Sequence, residues 1–250
     1  MENPRRRHKM FNPAEQHKKF VVLEPYTDIT DDIADKHGEE YKQTFLKVRS
    51  IIAHQQRELI KKGISGFLFH GEVGTGKTVM AKVLAKDLGI PLYFVDGSHI
   101  ARALYGESEQ MIGQIFEEAT KQRSIILIDD AESVFPKRDW IKGQSWHVAQ
   151  NNVFFHCLDN VDTSKTVVIL TTNRYDMMDK AIIDRLYPIE FSALSTDTLI
   201  EIAKDMCARY KISDAEVVEE ITKNKDKYKS MRAIEKLVTE HYIQEVSTEV

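Results

Sequence analysis

Residues Gly71-Glu72-Val73-Gly74-Thr75-Gly76-Lys77-Thr78 set three glycines, a lysine and a hydroxyl in the spacing GxxxxGK(S/T). Each residue type has a task in holding a polyphosphate. Glycines let successive backbone N–H groups turn inward around a β-phosphate, and a helix beginning at the same point adds positive potential there. Lys77 has the length to reach the β- and γ-phosphates, Thr78 offers a hydroxyl to Mg²⁺, and Val79 continues the segment into the helix. The candidate nucleotide-contacting residues are therefore Gly71, Glu72, Val73, Gly74, Thr75, Gly76, Lys77, Thr78 and Val79, and the expected ligands are ATP and Mg²⁺. The bland alternative is a glycine-rich turn that binds nothing.

A second group ends an apolar run: Ser124-Ile125-Ile126-Leu127-Ile128-Asp129-Asp130-Ala131-Glu132. The carboxyl end of a buried parallel strand is where α/β sheets place their ligands. Asp129 there suits Mg²⁺, held through its water shell together with Thr78, and Asp130 suits the orientation of an attacking water. Without the glycine loop, these acids read as a simple strand terminus.

Both groups need a frame, and the hydrophobic pattern supplies one. Phe67 to His70, Pro91 to Val95, Ser124 to Ile128, Thr166 to Leu170 and Pro188 to Phe191 have the length and β-branched content of strands. Helical spacing marks Tyr41 to Lys62, Thr78 to Leu88, Glu107 to Gln122 and Gln144 to Asn160. Strands alternating with helices predict βαβ units, hence an α/β parallel sheet covered by helices on both faces. From Ser195 onward only helical stretches follow, the second opened by a capping box from Ser213 to Glu216. These patterns divide the chain into a basic arm at 1–20, an α/β core at 21–192 and a small all-α lid at 193–250.

Bulk composition narrows the class. The chain has 250 residues, 42% hydrophobic and 30% charged, with a net charge of −4, as a globular protein does. Six basic residues against two acidic ones fall in residues 1–20, so that segment reads as a solvated terminus or an interaction arm. The two cysteines, Cys157 and Cys207, form neither a disulfide framework nor a zinc pattern. No apolar run has the length of a membrane span, and no apolar stretch follows the basic terminus as a leader would require. The expected setting is cytoplasmic.

With these motifs in order, the chain resembles the AAA family of P-loop ATPases over roughly residues 30–245. Tyr105-Gly106-Glu107-Ser108-Glu109, with Ile115-Phe116-Glu117-Glu118-Ala119, resembles the family's segment after its second strand. Val167 to Asn173 resembles the strand ending in the sensor-1 asparagine, and Met178 to Arg185 the stretch carrying the arginine finger. The resemblance implies a sheet in the order 5-1-4-3-2, a helical lid, and a ring, commonly a hexamer, with ATP at each subunit interface. It implies catalytic roles for Asp130, Asn173 and Arg185. Asn173 suits both the γ-phosphate and the lytic water, because its amide donates and accepts. Arg185 would neutralise transition-state charge on a neighbour's nucleotide; on single-chain logic it is an ordinary surface arginine. Arg232, in Ser230-Met231-Arg232-Ala233-Ile234, resembles a sensor-2 arginine and reads equally well as a helix-surface residue.

The chain also departs from the pattern. Asp130 stands where most of the family has glutamate, one methylene shorter, which points to slow hydrolysis or to help from Glu132. Asp184 occupies a position near which relatives often carry another arginine, leaving Arg185 as the finger candidate. In Leu104-Tyr105-Gly106 the aromatic comes one position later than in the family's pore segment. Tyr105 either projects into a pore or packs under its own helix, and Trp140 and Trp146 either form a second pore loop or anchor the following helix. The implied activity is an ATPase that remodels or unfolds a protein substrate. A DNA-linked ATPase of the helicase-loader or transposition type, with the basic arm on nucleic acid, is the alternative, and a nucleotide-assembled scaffold a third.

Overall fold

An apolar run bounded by turn residues folds as a strand buried on both faces. The computed structural model describes residues 21–23, 38–101, 107–137 and 145–248. Its strands are β1 (Val21–Leu23), β2 (Gly66–Gly71), β3 (Leu92–Asp96), β4 (Ser124–Asp129), β5 (Thr166–Thr172) and β6 (Tyr187–Phe191). Helices α1 (Glu39–Arg57), α2 (Lys77–Leu88), α3 (Gly97–Ala101), α4 (Glu107–Ala119), α5 (Ser145–Asn160) and α6 (Lys180–Ile183) precede or connect them. The sheet order is β1-β3-β4-β5-β2-β6. From β3 to β6 every pairing is parallel, so the five expected strands lie in the expected order. The sixth, β1, was not expected. It pairs antiparallel with β3, Val21 opposite Phe94 and Leu23 opposite Leu92. Three residues are too few for a periodicity to register.

Side chains alternate across the sheet, so each face receives half of every strand. Phe67, Phe69, Ile125, Leu127, Val167 and Ile169 pack against Phe45, Val48 and Ile52 of α1 and Met80 and Leu84 of α2. Leu68, Ile126, Ile128, Val168 and Leu170 face the other way, under Ile112, Ile115 and Phe116 of α4 and Phe154 and Leu158 of α5. Helix ends follow local hydrogen-bond demand. α1 stops at Arg57, short of the expected Lys62, because Leu59 turns left-handed at φ 54°. The Gln55 carboxamide then holds the exit: it accepts from Ile64 N–H at 2.6 Å and donates to Ile64 O at 3.1 Å. α4 ends at Ala119, whose carbonyl accepts the Ser124 hydroxyl at 2.9 Å.

After β6 come α7 (Thr196–Tyr210), α8 (Ala215–Lys223) and α9 (Met231–Thr248). Leu199, Ile202, Val217, Ile221, Ile234 and Val238 give these helices an apolar cluster of their own. Ser195 caps α7, its hydroxyl accepting from Thr198 N–H at 3.1 Å. Of the capping box expected at the second helix only the serine half forms, the Ser213 hydroxyl accepting from Ala215 N–H at 3.4 Å. Asp214 is the N-cap of α8, Ser213 N–H turns to Glu245 of α9 at 3.5 Å, and Glu216 lies 3.7 Å from His241. A carboxylate from the packed neighbour has displaced the local one. The 1–20 arm lies outside the described residues, and among those described no helix is long and apolar enough to cross a membrane.

The passage from β2 into the glycine loop depends on Gly71. Its φ is 136°, and a Cβ built there would lie 2.2 Å from the Phe191 carbonyl oxygen on β6. Gly71→Ala combines a left-handed backbone cost with a backbone clash. It should lower unfolding free energy by on the order of 3 kcal/mol in urea titrations. An unchanged midpoint would mean that β6 moves away freely.

Candidate functional site

Register decides what meets at the carboxyl edge of the sheet. His70 of β2 lies opposite Thr172 of β5, and Ile128 of β4 opposite Leu170 of β5. The turns leaving these three strands therefore open at one level, into a cleft that includes Gly74, Lys77, Thr78, Asp129, Asp130, Thr171, Asn173 and Arg232.

The glycine loop forms the wall on the β2 side. Gly76 (φ 90°) releases the chain into α2. Behind it, the buried Tyr41 donates its hydroxyl to Gly76 O at 3.0 Å and sets its ring edge-on to Phe191. Burial pushes the Tyr41 hydroxyl far above its usual pKa, so it is a committed donor. Lys77 is buried under the loop, its ammonium donating to Gly71 O at 3.0 Å, Glu72 O at 2.6 Å and Thr75 Oγ1 at 3.4 Å. Burial lowers its pKa, while Asp129, Glu132 and Asp130 pull the other way. Val73 is exposed at the rim, and Val79 is half-buried in the first turn of α2.

The acids form the floor. Thr78 donates its hydroxyl to Asp129 Oδ1 at 2.7 Å, and Thr171 donates to the same oxygen. Thr171 Oγ1 in turn accepts from Asp130 N–H at 3.3 Å. Asp130 adopts a left-handed backbone (φ 51°, ψ 51°), which aspartate tolerates better than most residues. Its carboxylate accepts from Asn173 Nδ2 at 3.3 Å. Desolvation, then the charges of Asp129, Glu132 and Asp96, raise its pKa, and Arg232 opposes them. Gly97 of α3 backs this turn so closely that a Cβ there would come within 2.7 Å of the carbonyl oxygens of both Asp129 and Asp130.

The C-terminal helices close the third side. Met231 N–H donates to Gly74 O at 3.1 Å, and this contact brings Arg232 to the cleft. Arg185 is not brought there. At the turn between α6 and β6, its Nε lies 3.3 Å from Asp159 Oδ1 and its Nη1 3.1 Å from Ala181 O. Its guanidinium rests 4.3 Å over the Phe155 ring. Glu132 does not line the cleft either. Its Oε2 is buried, with no hydrogen-bond partner among the described residues. Tyr105, Trp140 and the Trp146 side chain lie outside the described residues. Thr171 was not anticipated, because a threonine inside an apolar strand reads as a β-former.

Across the loop from the phosphate side, at Thr75, a second cavity opens between Gly38–Tyr41 and Phe191–Thr198. Hydroxyls and carboxylates dominate its polar lining, with Ser192 Oγ donating to Glu40 Oε1 at 3.2 Å.

Against known sequences, the model of the ATPase family associated with various cellular activities (AAA) matches residues 67–193. Protein SAV of Sulfolobus acidocaldarius is 38% identical over 163 residues, covering 61% of this chain and 20% of its own length. The cell division cycle protein 48 homolog of Archaeoglobus fulgidus is 34% identical over 180 residues, covering 68% of this chain and 23% of its own. The ATP-dependent zinc metalloprotease FtsH of Clostridium perfringens is 30% identical over 217 residues, covering 82% of this chain and 29% of its own. The chain thus spans less than a third of the length of these relatives. The family match takes in just over half of the chain, from the strand before the glycine loop, through both acids, to the end of β6, and on that ground the chain belongs to the AAA family.

Proposed function

We propose that the chain binds ATP with Mg²⁺ and hydrolyses it to ADP and phosphate. The observation that carries this reading is the 2.7 Å bond between Thr78 and Asp129 beside the buried Lys77, at the end of a loop whose three glycines take backbone turns of positive φ. These residues fit the ion: two hard oxygen donors from different elements are what Mg²⁺ needs when phosphates supply further ligands. When bound, Mg²⁺ supplies charge neutralisation at the β- and γ-phosphates. Lys77 adds a second positive centre, and its present acceptors are backbone carbonyls that an anion can replace. Asp130 accepts the proton of the attacking water, which its raised pKa favours, and Asn173 orients both partners. Base and ribose take the second cavity, beyond Thr75.

The wider reading is a ring, commonly of six subunits, that remodels or unfolds protein. Arg185 supports it: its guanidinium is held by Asp159 and Phe155 at a surface outside its own cleft, as a residue serving a neighbour's nucleotide requires. A relative named a metalloprotease acts on polypeptide, which supports a protein substrate here. Cys157 and Cys207 are free thiols, in keeping with a reducing, cytoplasmic setting.

Lys77→Ala should remove most nucleotide affinity while costing only about 1 kcal/mol of stability, the net worth of its hydrogen bonds to loop carbonyls. Calorimetric titration with ATP alongside thermal unfolding reads both, and retained affinity would sink the phosphate-loop assignment. Asp130→Asn should bind ATP and lose turnover by roughly 100-fold or more, because an amide cannot take the water's proton. Phosphate release assays decide it, and retained turnover would pass the role to another group. Arg185→Ala should bind ATP yet hydrolyse it poorly, and mixing it with Lys77→Ala protein should restore part of the activity. No recovery between subunits that demonstrably exchange would make Arg185 structural.

A further inference from the structure

Asp129 Oδ1 accepts two hydroxyl protons, one from Thr78 on α2 and one from Thr171 on β5. Only the first has a place in the chemistry above. Thr171 is 2% exposed, following Val167, Val168, Ile169 and Leu170 on a strand buried along its whole length, and a hydroxyl in such surroundings is costly unless both its donor and its acceptor capacity are used. Both are used. The proton goes to Asp129, and a lone pair takes the N–H of Asp130 at 3.3 Å.

We infer that Thr171 is a positioning residue for the proposed Mg²⁺ and water sites, a conclusion that rests on the ATP–Mg²⁺ reading. One hydroxyl fixes the rotation of the Asp129 carboxylate and the left-handed turn at Asp130 together, so the two acids cannot shift independently. With Oδ1 taken by two donors, Oδ2 is the Asp129 oxygen left for the metal's water shell. The Thr78 proton is likewise committed to Asp129, which leaves that hydroxyl's lone pairs for the metal. The short Asp130 side chain makes such fixing matter, since it has one methylene less than glutamate with which to correct its reach.

The test separates metal positioning from general support of the fold. A fluorescent ATP analogue is titrated with wild type, Thr171→Val and Thr171→Ser, first in EDTA and then against rising Mg²⁺. Thr171→Val keeps the volume and removes the hydroxyl, so it should leave the affinity in EDTA unchanged. The Mg²⁺ concentration that half-saturates the binding enhancement should rise by about 10- to 100-fold, as loss of a ligand-orienting partner does in metal sites. Thr171→Ser should restore the wild-type curve. If Thr171→Val does not fold, Thr171→Cys, with similar volume and a weak donor, carries the same comparison and should fall between the two. The inference is overturned if the Val and wild-type Mg²⁺ curves superimpose, if affinity falls equally in EDTA, or if Ser behaves as Val. Wild-type protein that binds no analogue at any Mg²⁺ concentration instead overturns the nucleotide reading, and this inference with it.

Discussion

The parallel register of β4, β5 and β2 is the constraint on which the rest of the molecule depends. Parallel neighbours advance together, so a residue pair fixed in the middle of the sheet fixes where both strands end. Phe67 opposite Ile169 and Leu127 opposite Ile169 tie the three strands to one row. A slip of one residue would carry each buried side chain to the wrong face, so the apolar clusters on both sides hold the row in place. The glycine loop, the paired acids and Asn173 owe their common level to that row. Their chemistry is local, but their assembly is a property of the whole sheet.

Around the cleft, charge is arranged with little slack. Asp129, Glu132 and Asp96 bear on Asp130 and Arg232 opposes them, while Asp129, Glu132 and Asp130 act in turn on Lys77. Burial first, and then repulsion among these acids, raise the pKa of Asp130. On the proposed ATP–Mg²⁺ reading, a divalent cation relieves this repulsion and offsets the charge of the phosphates.

Much of this was legible in the sequence. The five long strands announced themselves as apolar runs, the glycine loop as a fixed spacing, and Asp129 and Asp130 as acids at the end of a buried strand. What escaped notice depends on tertiary contact. β1 is three residues long and exists by pairing with β3, so no pattern of its own reveals it. The cap of α8 departs from its local pattern because Glu245, distant in sequence, supplies the acceptor that Glu216 would have given. Thr171 has the composition of a strand residue, and only the fold discloses that its hydroxyl lies between two carboxylate-bearing neighbours. Arg232 admitted two readings because helix position alone does not say which element the helix rests on.

That resting point, Met231 N–H on Gly74 O, ties the C-terminal helices to a glycine of the loop itself, where a Cβ would come within 2.7 Å of Ser230 Cβ. Gly74 is left-handed at φ 77°, with no side chain to stiffen it. The tilt of the C-terminal helices and the curvature of the loop are one coordinate, joined by a strut a single hydrogen bond long. Whatever reshapes the loop is therefore transmitted directly into the orientation of the three helices, and a push on those helices is felt in return by the loop.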